Sequence, residues 1–220
     1  MGDRLLNAGC TSGPAETITL GMGCFWKPDA LFGHLPGVIR TRTGYAGGTS
    51  ADPNYRRMGD HTEVVEVDYD PAAIPLAKLL KLFWDSHNPV NINGYKGRQY
   101  QSLLLYRNEA QLAEALMVLE QLSAGGKLKP ETEIRLYDRF FIAEDRHQKY
   151  DVKRYPHAVE LLERLYPPGQ RWEHGTLAAR LNGLAKGYTS LQRVIAEMEQ
   201  WPADAEEKSR LIRLVKQIRW

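Results

Sequence analysis

The chain has 220 residues, 43% of them hydrophobic and 25% charged, which suits a soluble globular protein of one domain with or without an appendage. A net charge of +2 gives no case for nucleic acid or a membrane surface as partner. Two cysteines exclude a disulfide framework, and no CxxC or Cys/His cluster suggests a structural zinc. No stretch approaches the length of a membrane span, and only Met1 to Leu6 precede Asn7-Ala8-Gly9-Cys10, with no apolar core of signal-peptide length. Residues 1–16 therefore read as a flexible lead-in, and a cytoplasmic protein is expected.

Thr17-Ile18-Thr19-Leu20 is β-rich, and Gly21 and Gly23 break it. Pro28-Asp29 reads as the first turn of a helix, so Cys24 sits where a strand hands over to a helix N-terminus. Free N–H groups and the helix dipole there favour a thiolate, and Lys27 offers a second cation. Phe25 and Trp26 place two aromatics beside the sulfur, which suits a shallow reactive pocket better than a structural cysteine.

His61 to Tyr69 reads as a strand ended by Asp70-Pro71, and Leu76, Leu79, Leu80 and Phe83 make one helical stripe. Ser102 to Tyr106 is a short apolar run expected as a buried strand. Glu109 to Leu122 is expected as a helix with Leu112, Leu116, Leu119 and Leu122 inward and Gly125-Gly126 as its stop. Thr132 to Tyr137 alternates as another strand. After Pro167-Pro168-Gly169 the character becomes helical only: Leu191, Val194, Ile195 and Met198 form one stripe, and Leu211, Leu214, Val215 and Ile218 another. Trp201-Pro202-Ala203-Asp204 is the turn between them, with Asp204 as N-cap. This helical hairpin is too small to bury a core alone and is expected to pack on the main domain or on a second copy. The class is α+β, a mixed sheet flanked by helices with the helical hairpin appended. The expected organisation is a lead-in over 1–16, a catalytic domain over 17–166 and a helical extension over 167–220.

Strand alternation gives Glu63 a specific meaning. It shares a face with Val65, Val67 and Tyr69, whereas Glu66 and Asp68 lie opposite with Val64. A carboxyl on an apolar face is desolvated, its pKa rises, and it becomes a candidate general acid. Further clusters are Gly44-Tyr45-Ala46-Gly47-Gly48, Pro53-Asn54-Tyr55, Gln99-Tyr100 and Ala143-Glu144-Asp145-Arg146-His147-Gln148. Two tyrosine hydroxyls aimed at one point can hold an oxyanion-like oxygen. His147, in a polar segment, is expected at the surface or in a capping role.

In this order the segments from Thr17 to Tyr155 resemble the peptide methionine sulfoxide reductase A family. The series is Gly-Cys-Phe-Trp, Gly-Tyr-x-Gly-Gly, Pro-x-Tyr, His-x-Glu, Tyr-Asp-Pro, Gln-Tyr-x-Ser and Ala-Glu-Asp-x-His-Gln. The resemblance implies reduction of the S epimer of methionine sulfoxide, free or in oxidised proteins, to methionine. It makes Cys24 the nucleophile, Glu63 the proton donor, Tyr55 and Tyr100 the hydroxyls on the sulfoxide oxygen, and Phe25 and Trp26 the pocket for the S-methyl group. It implies no bound cofactor or metal, and a Cys24 sulfenic acid that an external thiol, thioredoxin or similar, returns to the reduced state.

Three departures accompany the resemblance. Tyr95 stands where the family commonly has an Asp. Lys27 and Pro28 replace Gly and a small residue, and the loop before His61 is short. No recycling cysteine follows Cys24, so Cys10 is either a resolver or a bystander; direct reduction by an external thiol is the preferred reading. The alternative to turnover is a diverged member that binds a methionine sulfoxide or thioether peptide, or acts on another sulfoxide.

Overall fold

The computed structural model describes residues 13–89, 97–124, 131–166 and 169–220. Cys10, Tyr95, the Gly125-Gly126 stop and Pro167-Pro168 lie outside the described residues. A six-stranded mixed sheet in the order β5-β4-β1-β3-β2-β6 organises the molecule. The strands are β1 (Glu16–Met22), β2 (Val38–Ala46), β3 (Thr62–Tyr69), β4 (Ser102–Tyr106), β5 (Glu133–Leu136) and β6 (Phe140–Ile142). Among the described residues only the β4–β5 pair is parallel; β1–β3, β1–β4, β2–β3 and β2–β6 run antiparallel. Among the described residues the helices are α1 (Trp26–Gly33), α2 (Leu76–Asp85), α3 (Glu109–Ala124), α4 (Pro156–Leu165), α5 (Thr176–Lys186), α6 (Leu191–Glu199) and α7 (Ala205–Lys216). The α+β class is as expected.

Every residue of β3 is buried, so both of its faces are covered. Val65, Val67 and Tyr69 pack in the main core with Ile18, Leu20 and Met22 of β1 and with Leu79, Leu80 and Phe83 of α2. Val64 joins Ala46, Leu103 and Leu105 on the other face. On that second face Glu66 accepts from Arg42 at 2.9 Å and from Arg107 at 2.6 Å, and Asp68 pairs with Arg40. Period-two alternation thus separates an apolar face from a neutralised charged one, as the sequence implies.

In α3 the inward face differs from the expected one. Gln111, Ala115, Val118 and Leu119 are buried, while Leu116 is 52% exposed. The face is turned by one residue, about 100°, because the Gln111 side chain is used inside. It accepts from Arg107 N–H at 2.8 Å and donates to Glu16 and to Thr17 O, both at 3.2 Å.

A second core joins α4 and α5, which sequence periodicity does not single out, to α6 and α7. Val194, Met198, Leu211, Val215 and Ile218 of the expected hairpin stripes are buried in it, and Asp204 caps α7 through Glu207 N–H at 2.8 Å. The hairpin therefore packs within its own chain. What binds this second core to the sheet is α5. Arg180, fully buried, donates to Gly33 O and Val38 O at 2.7 Å each and pairs with Glu197. It thereby caps the carbonyl end of α1 with a cation. A Cβ on Gly183 would meet His34 Cβ at 2.3 Å, so only glycine lets the two helices approach this closely.

Candidate active site

β1 ends at Met22, and Gly23, with φ +89°, turns the chain into α1. A side chain is strained in that left-handed conformation. Cys24 follows, half-buried, and Phe25 is the N-cap of α1. No side chain of its own caps the helix; instead Phe25 N–H donates to Glu63 Oε2 at 3.1 Å. Glu63, 1% exposed, is the second residue of β3 and lies opposite Tyr45 of β2. Its other oxygen accepts from Gln99 Nε2 at 2.7 Å.

Gln99 belongs to the 3₁₀ turn Arg98–Tyr100, which Arg98 secures. The guanidinium donates to Asp60 O and Gly47 O at 2.8 Å each and pairs with Glu133 at 2.9 Å. Tyr100 is half-buried in the same turn. Tyr55 reaches the site from the loop between β2 and β3 and is 40% exposed. Its N–H donates to Glu144 Oε1 at 3.1 Å, while the Tyr45 hydroxyl donates to Glu144 Oε2 at 2.7 Å.

Aromatic rings then join these segments. Trp26 stacks on Tyr150 with centroids 3.6 Å apart and planes 5° from parallel. His147, 4% exposed, lies 4.7 Å from the Tyr55 ring, 5.2 Å from Phe25 and 5.8 Å from Trp26. His147 is thus neither a surface nor a capping residue. The polar letters around it mislead because its burial comes from two other segments, Phe25-Trp26 and the loop of Tyr55. Behind the ring stack Lys149, with φ +52°, sends its ammonium to Asp29 Oδ1 at 2.8 Å, both side chains fully buried. Gln148 clamps β2 by accepting from Thr43 N–H and donating to Thr43 O.

The electrostatics differ from the sequence expectation at the sulfur. Burial pushes the Cys24 thiol up, and the Glu63 charge adds to this; the hydrogen bond from Trp26 N–H offsets only part. Helix-terminal stabilisation of the thiolate is present but is outweighed by desolvation. Lys27 does not supply the expected cation, because its Nζ donates to Ser86 O. Glu63 behaves as its strand position implies: burial raises its carboxyl, and the Gln99 and Phe25 donors only moderate the rise. Burial lowers His147, keeping its imidazole neutral. Burial works to raise Glu144, but hydrogen bonds from its own backbone, Tyr45 and Tyr55 outweigh it and hold the carboxyl below its ordinary value.

The structure thus brings Cys24, Phe25, Trp26, Glu63 and Tyr55 into one connected cluster and puts Tyr100 in the turn beside it. Gln99, Tyr45, Glu144 and Tyr150, for which the sequence implied no role, complete that cluster together with His147, expected instead at the surface or as a cap. The signal for four of them was their place inside the quoted motifs; Tyr150 lies just past the last one. Among the described residues no group of three or more His, Cys, Asp or Glu is arranged to hold a metal ion. No helix there is long and apolar enough to cross a membrane.

The family described as "Peptide methionine sulfoxide reductase" matches residues 16–165, which span the whole Cys24 cluster. Peptide methionine sulfoxide reductase A5 of Oryza sativa subsp. japonica is 42% identical over 175 residues, covering 77% of this chain and 68% of its own. The Drosophila melanogaster peptide methionine sulfoxide reductase is 41% identical over 185 residues, covering 83% and 73%. Among solved structures, methionine sulfoxide reductase A of Corynebacterium diphtheriae superimposes with a TM-score of 0.55 at 30% identity, over 72% of this chain and 80% of that one. Reduced Mxr1 of Saccharomyces cerevisiae gives 0.58 at 28% identity, over 73% and 91%. The thiol, the buried carboxyl and the aromatic stack therefore sit in a chain that belongs to the peptide methionine sulfoxide reductase family.

Proposed function

We propose that this chain reduces the S epimer of methionine sulfoxide, free or in oxidised proteins, with Cys24 as nucleophile and Glu63 as acid. The observation that carries the assignment is the bond from Phe25 N–H to Glu63. It seats a buried carboxyl, raised toward its protonated form, one residue from the sulfur. The Cys24 thiolate attacks the sulfoxide sulfur to form an S–S bond, Glu63 delivers a proton to the sulfoxide oxygen, and that oxygen passes to the Cys24 sulfur as the S–O and S–S bonds break. Methionine leaves, and Cys24 keeps the oxygen as a sulfenic acid. Two thiols of an external reductant, thioredoxin or a small dithiol, then become a disulfide while that oxygen leaves as water.

Phe25 and Trp26 receive the S-methyl group, and their fixed ring packing supports a preformed pocket. Tyr55 and Tyr100 donate to the sulfoxide oxygen. Glu144 fixes the Tyr55 backbone, and neutral His147 packs the rings around it. Residues 17–166 form the catalytic domain, residues 1–16 precede it, and residues 167–220 are the helical extension. A module that only bound thioether peptides would use the aromatic stack but would have no need of a raised carboxyl beside a thiol. The decisive experiment is turnover of the two sulfoxide epimers with a small dithiol as reductant. Reduction of the S epimer alone is expected, and failure to reduce either epimer would remove the assignment.

A further inference from the structure

Helix α5 runs antiparallel to α1 and in contact with it. Gly33, at the end of α1, meets Ala179 O, and Gly183 meets Ala30 O, each as close as 3.0 Å for an added Cβ. Moving forward along α5 thus moves backward along α1. The last turn of α5, ending at Lys186, arrives at the first turn of α1, beside Cys24. There Lys186 Nζ pairs with Asp151 Oδ1 at 3.3 Å; Asp151 is buried while the lysine side chain is 40% exposed. Asp151 directly follows Tyr150, the ring stacked on Trp26, so the tether is fixed to the aromatic wall of the site. Its second oxygen, Oδ2, is buried with no hydrogen-bond partner among the described residues.

The charges that face the Cys24 sulfur come from three elements. Glu63 is on β3, Asp151 lies between the turn Asp145–His147 and α4, and Lys186 ends α5. Lys27, on α1 itself, is committed to Ser86 O, and the His147 ring is held neutral. We propose that Lys186 is a positioning residue for the chemistry, an ammonium held by Asp151 at the N-terminal end of α1 that favours the Cys24 thiolate. The Lys186 charge acts on the thiol against both carboxylates. Lys186 lies past residue 165, where the family match ends, so the helical extension supplies part of the electrostatics of the site. This inference rests on the reductase reading for its purpose but not for its test.

The test uses the full chain carrying Cys10→Ser, which leaves Cys24 as its single thiol. The rate of Cys24 alkylation by iodoacetamide is followed against pH, which reports thiolate directly. Lys186→Met should move the profile to higher pH and slow alkylation at neutral pH about three- to tenfold, the range for one partly screened charge nearby. Lys186→Arg should restore the parent profile. In 1 M salt the difference between Met and Lys should shrink, because the amine is partly solvated. Superimposable profiles for Lys186 and Lys186→Met would overturn the proposal. So would a shift that Lys186→Arg fails to rescue, since packing and not charge would then be responsible. An unchanged profile in a protein that still reduces methionine sulfoxide removes Lys186 alone and leaves the reductase reading standing.

Discussion

Glu63 Oε2 accepts the hydrogen bond of Phe25 N–H at 3.1 Å, so the carboxyl that faces Cys24 also closes the open end of the cysteine's own helix. Two consequences pull against each other. The contact brings an acid to the sulfur, and its charge, when present, raises the thiol it must assist. Protonating Glu63 removes that repulsion, so one proton both arms the acid and frees the thiolate.

Cys24→Ser should abolish sulfoxide turnover, because a neutral hydroxyl does not attack the sulfur at a useful rate. A coupled assay with dithiol as reductant measures it. Substantial remaining activity would move the nucleophile elsewhere.

Glu63→Gln should keep substrate binding and lower turnover by about 10²–10⁴-fold. Burial raises Glu63, so the acid is present below that raised value and is lost as pH climbs through it. Cys24 is raised as well, so thiolate is gained as pH climbs. Wild-type kcat/KM should therefore rise, level off and fall at alkaline pH. Glu63→Gln should lose the fall and keep rising with the thiolate. A variant matching wild type at every pH would make Glu63 a structural cap only.

One turnover without reductant should leave a Cys24 sulfenic acid, because no cysteine follows Cys24. Mass spectrometry should show the gain of one oxygen, and a dimedone-type probe should trap it. With a small thiol present, Cys10→Ser should turn over at close to the wild-type rate. A quantitative loss of two hydrogens would instead mean a Cys10–Cys24 disulfide and make Cys10 the resolver.

Asp29→Asn should destabilise the fold by about 3–5 kcal/mol, since it strands a buried ammonium. Lys149 is fully buried, donates to Asp29 Oδ1 at 2.8 Å and to Thr41 O at 2.7 Å, and burial lowers its pKa. Unpaired, it enters the core neutral, so the deficit of Asp29→Asn should shrink as pH rises. Urea unfolding of the single variants and of Asp29→Asn with Lys149→Met measures the pair. Additive losses in the double variant would show that the two residues do not act together.

Local pattern alone placed Cys24 between strand and helix, Glu63 on the apolar face of its strand, and the two stripes of the α6–α7 hairpin. These features depend on periods of two and 3.6 residues and on glycine, which are written into neighbouring letters. Local pattern was weaker in α3, where Leu112, Leu116, Leu119 and Leu122 suggest one face and the buried hydrogen bonds of Gln111 select the next. It could not reach what distant segments decide. His147 is buried by Phe25, Trp26 and Tyr55, not by its neighbours in sequence. Lys27, close to Cys24 in the chain, turns to Ser86, while Lys186, far along it, is delivered by α5. The rise of the Cys24 pKa has the same origin, because desolvation depends on everything packed around a group, and only the folded chain assembles those neighbours.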